Sequence, residues 1–123
     1  MARLLVDSDV LVDHLRGRVR FVAGRNEVHV STINRAELLA GRSTDEARVR
    51  LLLTAMIEIP VDAAIAERAG RIRRASQARL PDALIAATAI EHGLTLVTRQ
   101  SSGFQWIRGL RIRAPTGGAK PTP

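Results

Sequence analysis

Apolar and polar positions along the chain follow two rhythms, one of period two and one near 3.6. The run Arg3–Val6 ends at an acid, Asp7, and predicts a short buried strand. From Ser8 the rhythm turns helical. Val10, Leu11 and Leu15 fall on one face, Ser8 or Asp7 caps the helix, and Gly17 stops it. Residues 18–26 read as a short amphipathic piece or a loop, and Glu27–Ser31 alternates like a strand. Thr32 then caps a helix over "INRAELLA" that Gly41 closes. A further helix runs from Thr44 through Ile57, with Val49, Leu52, Leu53 and Met56 on one face. "IEIPV" is a short strand whose proline confines it to an edge or a strand end.

Asp62 begins a long helix reaching Arg79, with Ile65, Ala69 and Ile72 inward and arginines outward. Leu80–His92 forms the next helix, with Pro81 in its first turn and Gly93 as its stop. Its apolar stretch from Ala83 to Ile90 predicts burial. Leu94–Thr98 is a buried strand, "RQSSGFQW" a loop and "LRIRA" a last short strand. Strands alternating with helices predict an α/β domain over residues 1–113 with a mainly parallel sheet, followed by a flexible tail over 114–123.

Ligands of such sheets bind beyond the carboxyl ends of the strands. Asp7 ends the first strand, Thr32 follows the second with Glu37 about one turn further on, Thr98 and Arg99 end the later strand, and Asp82 opens the helix feeding it. Fold logic therefore brings acids distant in sequence to one rim. Each has a bland reading beside the functional one. Asp7 is equally well explained as an N-cap. Asp9 suits the dipole of the first helical turn. Asp13 is expected to pair locally with Arg16. Glu37 shares a stripe with Ile33, Ala36 and Ala40 at the edge of a buried face, where a carboxylate needs a partner; Asn34 and Arg35 lie on other sides. Asp82 is adequately explained by the helix dipole, but it also stands alone at the mouth of an apolar helix.

Composition narrows the chemistry. Without cysteine, zinc–thiolate sites, thiol catalysis and disulfides are excluded, and His14, His29 and His92 show no ligand spacing. An all-oxygen donor set selects Mg²⁺ or Mn²⁺, ions that bridge phosphate oxygens and activate water. The net charge is +7, and eighteen of the nineteen basic residues are arginine. This favours a polyanion or an acidic protein as partner, with a generic basic surface as the alternative. Phe21, Phe104 and Trp106 are the only aromatics, too few for a base-stacking platform. No apolar run approaches the ~20 residues of a membrane span, and the N-terminus lacks a signal-peptide pattern, so a cytoplasmic protein is expected. A phosphate-accepting receiver domain would need a lysine at a late strand end, whereas the single lysine is Lys120 in the tail.

"LLVDSDVLVDHLRG", "STINRAELLAG" and "LPDALIAATAIEHGLTLVTRQ" resemble, in order, the sequence blocks of PIN-domain ribonucleases, most closely the VapC toxins of bacterial VapBC toxin–antitoxin modules. The resemblance runs over about residues 3 to 113. It implies a three-layer α/β/α sandwich and a Mg²⁺-dependent (or Mn²⁺-dependent) endoribonuclease that inhibits translation, leaving a 3′-hydroxyl and a 5′-phosphate. It also implies a homodimer and a heteromeric complex with a VapB-like antitoxin. By position, Asp7, Glu37 and Asp82 become the catalytic metal ligands. Ser8 supports the first acid, and Asp9, Thr98 and Arg99 act behind the ligands. Leu11, Val12, Leu15, Leu38 and Leu39 are expected to line the antitoxin groove. The chain departs from the family pattern at "TRQSSGF": Gly103 stands where a fourth carboxylate is usual. That departure motivates an alternative, a non-catalytic PIN-fold protein that binds RNA or antitoxin.

Overall fold

A computed structural model of the chain describes residues 1–42 and 44–115. Five parallel strands form the sheet: β1 (Arg3–Val6), β2 (Glu27–Ser31), β3 (Ile57–Ile59), β4 (Thr95–Val97) and β5 (Ile112–Arg113). Their spatial order is β3-β2-β1-β4-β5. Five helices connect them: α1 (Ser8–Leu15), α2 (Thr32–Leu39), α3 (Glu46–Thr54), α4 (Ala63–Ser76) and α5 (Leu80–His92).

Period-two alternation divides the core. Leu5 and Leu96 face α4 and α5, where Ile65, Ala69, Ile85, Ala86 and Ala89 are buried. Leu4, Val6, Val30 and Val97 point the other way, onto Val10 and Leu11 of α1, Leu38 of α2, and Val49 and Leu53 of α3. The result is the expected α/β/α sandwich, its central strands β1 and β4 covered on both faces, as parallel strands require.

The last two strands are shorter than expected and α2 ends one residue early, and four further boundaries differ for a local reason. Ser31, not Thr32, caps α2: its side chain accepts from Ile33 N–H at 3.1 Å while Asn34 Oδ1 accepts from Ser31 N–H at 2.8 Å, a reciprocal capping box. Thr32 Oγ1 instead accepts from Val61 N–H. Asp45 rather than Thr44 caps α3, accepting from Arg48 N–H, while the Thr44 hydroxyl donates to Leu38 O at the end of α2. Helix α3 stops at Thr54, because Ile57 pairs with His29 as the start of β3. Finally, α4 ends at Ser76, where Gln77 adopts a left-handed conformation with φ 60°. From position 116 onward the expected tail lies outside the described residues.

Among the described residues no helix is long and apolar enough to cross a membrane.

Candidate active site

The carboxyl ends of β1, β2 and β4 meet the N-termini of α1, α2 and α5, and this rim gathers the acids. Asp7 is the N-cap of α1, so its bland and functional readings coexist: Oδ1 accepts from Ser8 N–H at 2.8 Å. Its other oxygen accepts from the Thr98 hydroxyl at 3.0 Å. The same hydroxyl lies 3.2 Å from Asp9 Oδ2, which also accepts from Arg99 N–H at 3.1 Å. Thr98 is buried, so the end of β4 holds both α1 acids through one fixed oxygen.

Asp9 is more central than its first-turn position suggests. Its Oδ1 is buried with no hydrogen-bond partner. Its charge raises the proton affinity of Asp7, whose pKa is pushed up to about 6, chiefly by burial, then by Asp9, and least by Glu37. Asp82, in the first turn of α5, is also raised, mainly by burial. Arg79 opposes that shift and Asp9 adds to it. Asp9 therefore couples electrostatically to acids on both sides of it.

Glu37 departs from its expected setting. It is exposed, and the inward positions of α2 are Asn34 and Leu38 rather than a stripe through Ala36 and Ala40. The reason is the capping box, which turns Asn34 inward. From there its amide donates to Ser8 Oγ at 2.9 Å, and Ser8 Oγ donates to Glu37 Oε1 at 2.7 Å. Glu37 thus finds its partner in a hydroxyl relay from the core. The residue that sequence reasoning missed is Asn34; its signal was the capping-box spacing in "STIN". Arg35 does face elsewhere, making a two-pronged contact with Glu58 at 2.7 and 2.9 Å that lowers the Glu58 pKa.

Asp13 does not pair with Arg16. Its buried carboxylate meets Arg99 Nη1 at 2.9 Å. Arg99 therefore ties α1 to the end of β4 twice, by backbone to Asp9 and by guanidinium to Asp13. At Gly103 the backbone approaches the rim so closely that a Cβ there would sit 3.2 Å from Asp82 Oδ2. The position of the absent fourth acid thus borders the cluster, and a side chain there would crowd Asp82.

Of the expected groove residues, Val12, Leu15 and Leu38 line a cleft of about 620 Å³ between α1, α2 and α3, with Arg16, Arg42, Arg48 and Val49. Glu37 also lines it, joining the cleft to the acidic rim. Leu11 does not belong there: it is fully buried in the core, because the face it shares with Val10 packs on the sheet. Leu39 is partly buried against that core and is not part of the cleft lining.

The PIN domain family model matches residues 4–105. The chain belongs to the PIN-domain family. This PIN domain is 37% identical to Ribonuclease VapC10 of Mycobacterium tuberculosis over an alignment covering 96% of the chain and 98% of the relative. Among solved structures, a toxin–antitoxin complex from Klebsiella pneumoniae is 30% identical with a TM-score of 0.74, covering 92% of this chain and 98% of that one. VapBC2 from Rickettsia felis, bound to a DNA fragment, shares the fold at a TM-score of 0.78 and 22% identity, covering 91% and 98%.

The donor set fits a hard divalent cation by its chemistry. It is all oxygen, one buried carboxylate oxygen has no partner, and burial with like charge raises Asp7 and Asp82. Among the described residues, however, no three acids or histidines converge closely enough to hold an ion as they stand. Uncompensated carboxylates repel, and here the hydroxyls of Ser8 and Thr98 occupy oxygens that ligation would use.

Proposed function

We propose that this PIN domain is the toxin of a VapBC-type module and a Mg²⁺-dependent endoribonuclease that inhibits translation by hydrolysing RNA. The observation that carries this reading is the coupled acidic rim. The charges of Asp9 and Glu37 act on Asp7, that of Asp9 also acts on Asp82, and one buried oxygen has no partner, all on a chain of net charge +7. The identity to Ribonuclease VapC10 supports it independently.

Asp7, Glu37 and Asp82 would hold Mg²⁺ or Mn²⁺, and Asp9 belongs with them as a direct or water-bridged donor. The ion, when bound, lowers the pKa of a water and neutralises charge building on the phosphate. The chain's own residues do the positioning. Thr98 orients Asp7 and Asp9, the Asn34–Ser8 relay orients Glu37, and Arg99 fixes the end of β4 against α1. Exposed arginines attract the RNA backbone, an attraction that weakens with salt. The cleft through Val12, Leu15 and Leu38 is the groove in which an antitoxin segment would lie, reaching Glu37 at its end. A homodimer, a heteromeric VapB-like complex and a cytoplasmic location complete the reading.

RNA cleavage by the purified chain tests it, run with Mg²⁺, with Mn²⁺ and with EDTA beside Asp7→Asn. Metal-dependent cutting that Asp7→Asn removes is the expected result. A folded chain that binds RNA or antitoxin yet never cuts would establish the non-catalytic reading.

A further inference from the structure

One side chain near the acidic rim serves neither the core nor the carboxylate network. Trp106 is 78% exposed, and it is the chain's only tryptophan. An indole left in water forgoes the burial of a large apolar surface, the main favourable term aromatics bring to a core. Its neighbours behave oppositely. Phe104 and Ile107 are 3% and 8% exposed, sit in the core beneath α5, and are joined by Ile107 N–H donating to Phe104 O at 3.2 Å. The turn is pinned on both sides of Trp106, so the ring is presented by a held backbone.

The position is local to the proposed chemistry. A short 3₁₀ turn, Ser101–Gly103, leads into it, and Gly103 is the residue whose backbone borders Asp82. Three residues of chain span at most about 11 Å. Trp106 therefore lies within a few nucleotides of any phosphodiester held at the acids. Arg79, whose charge acts on Asp82, and Arg108, two residues beyond Trp106, are both exposed. An exposed aromatic among arginines matches a polynucleotide strand in both its parts: phosphates for the guanidinium groups, a base face for the ring.

We infer that Trp106 stacks on an unpaired base of the RNA beside the cleavage point. This rests on the ribonuclease reading and adds to it a substrate feature: the strand must offer an unstacked base, as a loop or a single strand does and a continuous duplex does not. The scarcity of aromatics still excludes a multi-ring platform, since Phe104 is buried and Phe21 partly so. A single ring suffices to select the register of an unpaired strand.

Trp106 reports on itself, because no other indole contributes to the fluorescence. The full chain is titrated in EDTA with a hairpin RNA carrying an unpaired loop, and separately with a fully paired duplex of equal length. The hairpin quenches Trp106 and the duplex does not. By filter binding, Trp106→Ala weakens hairpin affinity roughly 5- to 100-fold. Trp106→Phe retains most of the affinity, whereas Trp106→Leu, apolar without a π face, does not. On a cleavable hairpin with Mg²⁺, Trp106→Ala raises KM far more than it lowers kcat. Equal quenching by both RNAs, or wild-type affinity in Trp106→Ala, overturns the inference. So does an altered sedimentation coefficient of Trp106→Ala with unchanged RNA affinity, which makes Trp106 a contact between copies. Hairpin-specific quenching without cleavage under any metal removes the nuclease reading and keeps the stacking; cleavage without quenching does the reverse.

Discussion

The two ends of the sheet treat charge in opposite ways. At the amino end, Arg3 bonds Glu27 at 3.1 Å and the carbonyl of His92 at 3.0 Å, and Arg111 bonds the carbonyl of Gly93. Cations there meet the C-terminus of α5, where the helix dipole welcomes them. At the carboxyl end, Asp7 and Asp82 are raised by burial and by Asp9, and a buried Asp9 oxygen has no partner. One end is electrostatically closed, while the other concentrates negative charge that Arg79 and the hydrogen bonds from Ser8 and Thr98 offset only in part. The contrast separates acids that serve the fold from acids held against their own preference.

The sharpest way to break this contrast is to neutralise one rim acid. Asp7→Asn is expected to lower RNA cleavage by more than about 100-fold, beyond the loss typical of supporting residues. It should leave thermal stability unchanged or higher, because repulsion from Asp9 and Glu37 is relieved. A variant that cuts normally would remove Asp7 from the chemistry.

Acid titration gives the next largest effect. Asp7 has a folded pKa of about 6, above its ordinary 3.8. Between those values the folded state binds more protons than the unfolded one, so stability falls as pH rises. The metal-free chain should therefore lose up to about 3 kcal/mol from this group between pH 4 and pH 7. Urea unfolding in EDTA checks this against Asp7→Asn, whose profile should be flatter. Adding Mg²⁺ should stabilise the wild type at pH 7 more than at pH 5.

Thr98→Val keeps the shape and removes the hydroxyl shared by Asp7 and Asp9. A loss of roughly 10- to 100-fold in Mg²⁺ affinity is expected, measured by calorimetric titration. The smallest effects compare one ion pair from each end. Arg99→Ala removes the half-exposed partner of the buried Asp13 carboxylate and should cost about 1–2 kcal/mol after allowing for solvent screening. Glu27→Gln, in an exposed pair with Arg3, should cost less than about 1 kcal/mol. Equal costs in chemical denaturation would erase the distinction between the two ends.

Much of this was legible in the chain. Among the described residues the rhythms located each strand and each α-helix but not the 3₁₀ turn Ser101–Gly103, which read as loop, and the rule that ligands bind beyond carboxyl strand ends pointed to Asp7, Glu37 and Asp82 as candidates. The errors cluster where two neighbouring residues compete for one local role. Ser31 and Thr32 are both good caps, as are Thr44 and Asp45, and propensity alone does not rank them. Glu37 and Asn34 exchanged expected environments because a capping box, not hydrophobicity, set the inward face of α2.

The sequence by itself determined the alternation of strands and helices, the parallel sandwich that follows from it, the absence of thiol chemistry, and an acid at the end of the first strand. Those properties depend on side chains a few residues apart, whose spacing is written directly in the chain. Tertiary structure alone decided that Thr98 would bridge Asp7 and Asp9 from 91 and 89 residues away, and that Arg99 rather than Arg16 would reach Asp13. It also decided that the backbone at Gly103, three residues before Trp106, would border Asp82. These contacts arise because β4 pairs with β1 through a long crossover, and the register of that pairing is set by burial on both faces of the sheet.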